Sequence, residues 1–296
     1  MNIQVLKTFL LVVETGSINQ AAKSLYLSQP AITKQIRQLE EEYGALLFDR
    51  SDGRLTLTDS GNILYPFAKT MVQDYNLSKE AVAANLEGYE ETLNIGASLT
   101  IGEYLLPRLL GTFKKQYPDY HLSLVVENTP QILTHLTDDK IDLALVEGLV
   151  ETSHLSVERL KEDELVLIHS PEHSWSTREN IALEELTHER MIWREPSSGT
   201  RAIIENFLTE WGILEKIESY MELGSTQSIK SAVEAGLGVS IVSKLTVARE
   251  IEQGIIREVK IRDIELKRNL WIVWATKRFT KKSVRAFMEF IRNQYS

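Results

Sequence analysis

Cysteine is absent from the 296 residues. That excludes disulfides and any thiolate-based metal or redox site. No apolar run is long enough to cross a bilayer. The opening "MNIQVLKTFLLVVETG" has an apolar core, but Lys7 and Glu14 interrupt it. It also lacks a basic leader and a small-residue cleavage site. It reads as the first helix of a mature cytoplasmic protein, with no membrane partner. Basic residues are the minority, 33 Lys+Arg against 42 Asp+Glu, for a formal net charge of -9. That balance argues against nucleic acid binding by the whole surface and leaves a local basic patch open.

Other absences narrow the chemistry. There is no Gly-rich phosphate loop and no nucleophile elbow. "EAGLGVS" carries glycines, but it joins a helix to a strand, the wrong order for a dinucleotide fingerprint. His169 and His173 are four apart, yet Pro171 between them rules out a helical two-His face. No metal, cofactor or catalytic constellation is therefore expected. Internal repeats and low-complexity segments are also missing.

Local patterning is what the chain does have. Its length suits two or three domains. In "SINQAAKSLYLSQPAITKQIRQLEEEYG", Ile18, Ala21, Ala22 and Leu25 form one apolar stripe and Ile32, Ile36, Leu39 and Tyr43 a second. Ser17 with Gln20 fits a capping box at the first helix. Ser28 can cap the second, Pro30 is tolerated in its first turn, and Gly44 ends it. Leu6, Phe9, Leu10 and Val13 make an earlier supporting helix. Three such helices spell a helix-turn-helix. Its second helix leaves Gln29, Thr33, Lys34 and Arg37 outside, a set of base-edge and phosphate donors at the positive helix N-terminus. The acidic run at 40–42 is expected to face away from them. The bland alternative is an ordinary solvated face on a helical bundle. "LLFDRSDGRLTLTDSG" weighs against that: Asp52-Gly53 is a hairpin signal between short strands, making a wing that carries Arg50 and Arg54.

These residues resemble the LysR-type transcriptional regulators, closely over "FLLVVETGSINQAAKSLYLSQPAITKQIRQLEEEYGALLFDR" and "RLTLTDSG" and in layout over the rest. The resemblance implies Ser28, Gln29, Pro30, Thr33, Lys34 and Arg37 at the DNA, with Arg50 and Arg54 on the wing. Thr33 stands where Ser is frequent, Lys34 where Arg is frequent, and Ser60 where Ala is usual. Lys34 offers no bidentate fork, which suits phosphate rather than guanine.

From Thr58 to about Tyr89 the sequence reads as one helix. Leu64, Ala68, Met71, Tyr75, Val82 and Leu86 fall near one seam; Ile63, Phe67, Leu77, Ala81 and Ala84 fall near another. Apolar seams of this kind need a partner or their own domain to cover them. The resemblance implies antiparallel pairing with a second copy. Pro66 lies inside the pattern, and Gly88 is the expected stop.

Beyond it strands and helices alternate. The expected strands are "TLNIGA", "HLSLVVEN", "DLALVEG", "ELVLIHS", "RMIWRE" and "GVSIVSK". Helices are expected to begin near Thr100, Thr129, Thr200, Ser225 and Lys281. Alternation predicts mostly parallel sheets with ligand at the carboxyl ends of strands. The expected fold class is α/β: a winged helix-turn-helix (1–58), a linker helix (59–89) and a two-lobed, periplasmic-binding-protein-like effector domain (90–296). Lobe I would be about 90–161 plus 267–296 and lobe II about 162–266, with the return through "NLWIVWA".

Four strand-to-helix turns could line a pocket between the lobes. They offer Ser98 and Thr100; Thr129 and Gln131; Ser197, Ser198, Thr200 and Arg201; and Ser225, Thr226 and Gln227. Hydroxyls with free N–H groups at helix starts receive anions. Each alone reads equally as a simple cap; their convergence points to a small anionic metabolite. Glu147 would sit near the same cleft, facing a ligand ammonium or serving only as a surface or hinge residue.

The expected function is a sequence-specific, effector-responsive regulator without enzymatic activity. Expected partners are double-stranded DNA bearing an imperfect inverted repeat, a small-molecule effector, further copies in a homodimer or homotetramer, and RNA polymerase. A second reading is a cytoplasmic small-molecule binding protein whose N-terminal segment only oligomerises. A third, an enzyme on the same lobes, has no catalytic residues to support it.

Overall fold

The computed structural model describes residues 2–49, 55–83, 91–148, 150, 155–276 and 280–295. The chain forms two compact units, Met1–Tyr89 and Glu90–Ser296.

In the first unit, α1 (Ile3–Thr15), α2 (Ile18–Ser24) and α3 (Gln29–Tyr43) start on capping side chains: Asn2 accepts from the Gln4 N–H, Ser17 from Gln20 and Ser28 from Ala31. Gly16 and Gly44 stop α1 and α3 in the left-handed region, at φ +62° and +65°, which suits glycine at a helix C-cap. Leu6, Phe9, Ala21, Ile32, Ile36 and Leu39 pack into one core. Tyr43, expected on that stripe, is instead 42% exposed. Two short strands, β1 (Phe48–Asp49) and β2 (Thr56–Leu57), pair antiparallel as Phe48↔Leu57 and Asp49↔Thr56. Asp52-Gly53, Arg50 and Arg54 lie outside the described residues.

The long helix α4 (Asp59–Ala83) runs through Pro66 without ending there. Its Leu64, Ala68 and Met71 pack back on the core under α1. The first seam is thus covered by its own unit only at its start: Tyr75 is 41% and Val82 68% exposed. The second is not covered there: Ile63 is 67% and Phe67 60% exposed. With Tyr43, Ala45, Leu47 and Met71 they line an apolar groove of about 360 Å³. Ala84, Leu86 and Gly88 lie outside the described residues.

The second unit begins with β3 (Thr92–Ala97), α5 (Leu99–Tyr104), α6 (Leu106–Gln116), β4 (His121–Val126), α7 (Thr129–Thr137) and β5 (Leu143–Glu147). A long strand, β6 (Leu155–His169), leads to β7 (Asn180–Ile181), β8 (Met191–Arg194), α8 (Gly199–Glu210), β9 (Ser219–Leu223) and α9 (Thr226–Glu234). Then come β10 (Ser240–Ser243), α10 (Lys244–Glu252), β11 (Arg257–Ile261), β12 (Leu266–Ala275) and α11 (Lys282–Tyr295). The main sheet has the order β4-β3-β5-β12-β6-β11-β7, with β10 also on β6.

The expectation of mostly parallel sheets needs correction. β3 is parallel to β4 and β5, and β8 to β9. However, β12 runs antiparallel to β5 and β6, and β6 antiparallel to β10 and β11. The cause is connectivity. β6 leaves the first lobe and β12 returns to it, so the two cross in opposite directions and pair from Leu266↔Leu165 to Ala275↔Leu155.

Two sets of buried side chains define the lobes. Leu93, Ile95, Ile101, Phe113 and Phe287 centre one; Trp175, Trp193, Ile204, Ile241 and Val259 centre the other. Core membership switches between Leu160 and Leu165 on β6 and between Leu266 and Leu270 on β12. Helices α6 and α10 and strands β7, β9 and β11 were not expected. In α6, Pro107 and Gly111 obscure the apolar spacing of Leu106, Leu109 and Phe113.

Candidate DNA-contact surface and ligand cleft

Helix α3 buries Ile32, Ile36 and Leu39, so its 3.6-residue period turns Gln29, Pro30, Lys34 and Arg37 to solvent, with Thr33 half-buried. Gln29, Pro30, Thr33, Lys34, Arg37 and Gln38 line one shallow concavity. Ser28 lies beside them as the cap, its Oγ accepting from the Ala31 N–H at 3.4 Å. Among the described residues no ion pair engages Lys34 or Arg37, so both cations face outward unneutralised. Thr8 Oγ1 donates to Gln35 Oε1 at 2.5 Å and ties α1 to α3.

The acidic run does not turn away as a block. Glu41 lines the same concavity, since it is one helical turn beyond Arg37. Glu40 accepts from the Leu47 N–H at 2.9 Å and holds the entry to β1. Tyr26 escaped the sequence reading: it is 97% exposed at φ +55° in the turn between α2 and α3. The signal was an aromatic residue that belongs to no apolar stripe.

In the second unit, seven of the twelve residues expected around the pocket are buried: Ser98, Thr100, Thr129, Glu147, Ser198, Thr200 and Thr226. Gln131 and Gln227 are exposed, and their side chains make no hydrogen bond among the described residues. Ser98, at the end of β3, donates its hydroxyl to Glu147 Oε2. Thr129 Oγ1 donates to the Glu147 carbonyl at 3.2 Å. The start of α8 comes over them from the other lobe: a Cβ on Gly199 would lie 3.3 Å from both the Glu147 carbonyl and Thr129 Oγ1. Ser198 caps α8, its Oγ accepting from the Arg201 N–H at 3.4 Å. Arg201 itself is engaged elsewhere, by Glu205 and Glu222 at 2.7 Å each.

Arg268 draws this group together, and it was not anticipated. Its Nη1 donates to Thr200 Oγ1 at 2.8 Å and lies 3.9 Å from Glu147 Oε1. Its Nε donates to Asp163 Oδ2 at 2.7 Å, while Asp163 Oδ1 accepts from Ser243 Oγ at 2.9 Å. The remaining amino group, Nη2, is buried and has no hydrogen-bond partner among the described residues. A signal existed: Leu266, Arg268, Leu270 and Ile272 all take the buried face of β12, so the period-2 pattern puts an arginine inside.

Thr226 belongs to a second cluster. It accepts from Arg194 Nη1 at 3.1 Å, and Arg194 forks both oxygens of Glu195 at 2.8 Å. Asn128 Nδ2 crosses from the other lobe to Glu195 Oε1 and to Ser197 Oγ, each at 2.8 Å. Burial works to raise the Glu195 carboxyl, but the hydrogen bonds from Arg194 and Asn128 outweigh it and hold it below the usual carboxylate range. Among the described residues no three His, Cys, Asp or Glu side chains are grouped to hold a metal, and no helix is long and apolar enough to cross a membrane.

Two family patterns match this chain. "Bacterial regulatory helix-turn-helix protein, lysR family" covers residues 3–62, and "LysR substrate binding domain" covers residues 86–296. The chain belongs to the LysR family of transcriptional regulators. Its LysR-type relatives span it nearly whole. The "Probable RuBisCO transcriptional regulator" of Cyanidioschyzon merolae is 36% identical over 97% of this chain and 96% of its own. Full-length CbnR, solved with its target DNA, has the same fold: TM-score 0.67 at 22% identity, over 99% of each chain. The regulatory domain of Synechocystis PCC6803 CcmR, solved in complex with 2-PG, is 26% identical with a TM-score of 0.64. That match covers 70% of this chain and 98% of that one.

Proposed function

We propose that this LysR-type regulator reads an imperfect inverted repeat through Gln29, Thr33, Lys34 and Arg37, with Ser28 and Pro30 setting the helix start. Arg50 and Arg54 contact the flanking backbone, and a small anionic metabolite bound between the lobes of residues 90–296 controls the outcome. Domain limits of 1–58, 59–89 and 90–296 follow this division of labour. The observation that carries the ligand reading is Arg268: a buried guanidinium among Ser98, Thr200 and Glu147 with one amino group unspent among the described residues. Such a donor is costly unless an acceptor completes it. Thr100, Thr129, Ser198 and Thr226 add buried hydroxyls around it, while Gln131 and Gln227 stand at the outside.

Self-association through the exposed Ile63 and Phe67 seam of α4 places two reading heads on one site, in a cytoplasmic dimer or tetramer. Ligand binding shifts the lobes between two arrangements and so alters how the heads engage DNA and RNA polymerase. No catalytic step is required.

The test is a thermal-shift screen of small anions, with 2-PG first because the CcmR regulatory domain has been solved with it. It is paired with binding to DNA from upstream of the protein's own gene. An anion that raises Tm and changes DNA binding supports the reading. Salt-insensitive or absent DNA binding excludes it.

A further inference from the structure

Two buried carboxylates face one buried guanidinium in the interlobe cleft. Glu147 and Asp163 are each 4% exposed and Arg268 is 6% exposed. Asp163 takes the close contact at Nε, 2.7 Å, and is further held by the Ser243 hydroxyl. Glu147 takes only the looser approach to Nη1, at 3.9 Å, with Ser98 as its hydrogen-bond donor. Two carboxylates thus meet one guanidinium, while Nη2 of that same arginine has no acceptor among the described residues. An excess buried charge beside an unsatisfied donor is a poor final state for either group.

We propose that Glu147 is the resident occupant of the cleft's anion seat, holding the place between Ser98 and Arg268 that a ligand's anionic group takes when it binds. This rests on the reading that a small anion binds between the lobes. The ligand oxyanion completes Arg268 Nη2, and Glu147 gives way because a third anion beside Asp163 and Glu147 would add a further uncompensated charge at this depth. Glu147 is placed to act as such a stand-in. It ends β5, its carbonyl touches Thr129, and the backbone of Gly199 from the other lobe closes on it. Contact between the lobes therefore passes through the residue that the ligand displaces. In the unliganded protein Glu147 keeps the cleft closed on itself, and it sets a threshold concentration for the ligand.

Titration calorimetry on the full-length protein tests this. The probes are 2-PG, inorganic phosphate and acetate at fixed ionic strength. The proteins are wild type, Glu147→Gln and Glu147→Ala, each first shown to melt cooperatively. The two variants share the loss of charge but not of shape. Both are expected to bind 2-PG about tenfold tighter than wild type. The gain should be larger for phosphate than for acetate, because repulsion scales with ligand charge. Unchanged or weaker binding in both variants overturns the displacement and leaves the anion reading standing. An equal gain for acetate and phosphate also overturns it, because a mere loosening of the lobes does not discriminate by charge. Binding of no probe by any of the three proteins overturns the anion reading itself and the displacement with it.

Discussion

Arg268 and Asp163 are register partners on β12 and β6, and Arg268 Nε donates to Asp163 Oδ2 at 2.7 Å. The pair staples the two strands where the chain crosses between lobes. Its side chains are 2% and 1% exposed, so neither charge has water to fall back on. Asp163→Ala strands the guanidinium. It is expected to cost about 3 kcal/mol in urea unfolding, the low end for breaking a buried pair because Glu147 still lies nearby. A stability equal to wild type contradicts the staple.

The DNA surface separates into two kinds of contact. Lys34→Ala should weaken binding to all sequences alike and lower the slope of log K against log[salt] by about 1. Arg37→Ala should cost about 1–3 kcal/mol on the specific site and relax sequence preference. Fluorescence anisotropy over a salt series checks both, and neither variant should change ligand affinity.

Phe67→Glu tests the uncovered seam of α4. Phe67 is 60% exposed, so the charge should alter folding by no more than about 0.5 kcal/mol. Self-association should fall by about tenfold or more in sedimentation equilibrium. An unchanged association constant removes this seam from the interface.

Gly199 has no room to grow while the lobes are closed. Gly199→Leu puts a side chain into the 3.3 Å gap to Glu147 and Thr129 and holds the lobes apart, at about 1–3 kcal/mol of overpacking. DNA binding should persist and the ligand-induced rise in Tm should vanish. A normal shift in that variant shows that closure at Gly199 is not required.

His169 makes stability pH-dependent. Burial pushes its imidazole below the ordinary value of 6.5, only partly opposed by the hydrogen bond to the Ser170 carbonyl. The unfolded chain therefore takes up this proton first. The stability associated with neutral His169 is complete above about pH 6.5 and is lost as pH falls toward the depressed folded-state value. Urea midpoints measured from pH 7.5 to 5 should decline less steeply in His169→Asn, whose amide keeps the donor to Ser170. Parallel curves refute the assignment.

Much of the first unit was legible because its determinants are local. Caps at Ser17 and Ser28, stops at Gly16 and Gly44, and apolar residues three and four apart act within one or two helical turns. Tyr43 was misjudged, and the cover of α4 left open, for a different reason. A stripe tells which residues are apolar, not which neighbour arrives to cover them. In the second unit the parallel strands of lobe I were readable as apolar runs. The first half of β6, "LSVERLKED", was not, because its half-exposed charged residues look like a loop until β12 lies beside it.

The sequence by itself determined the helix-turn-helix, the outward set Gln29, Thr33, Lys34 and Arg37, and the row of hydroxyl-bearing helix starts, because periodicity and capping are properties of adjacent residues. Only the tertiary structure decided what those hydroxyls face. Arg268 reaches Asp163 across 105 positions and Thr200 across 68, and Ser98 meets Glu147 across 49. Nothing local encodes such separations. They follow from two strands crossing between lobes in opposite directions, which sets one inward arginine opposite one buried aspartate and leaves Glu147 beside them.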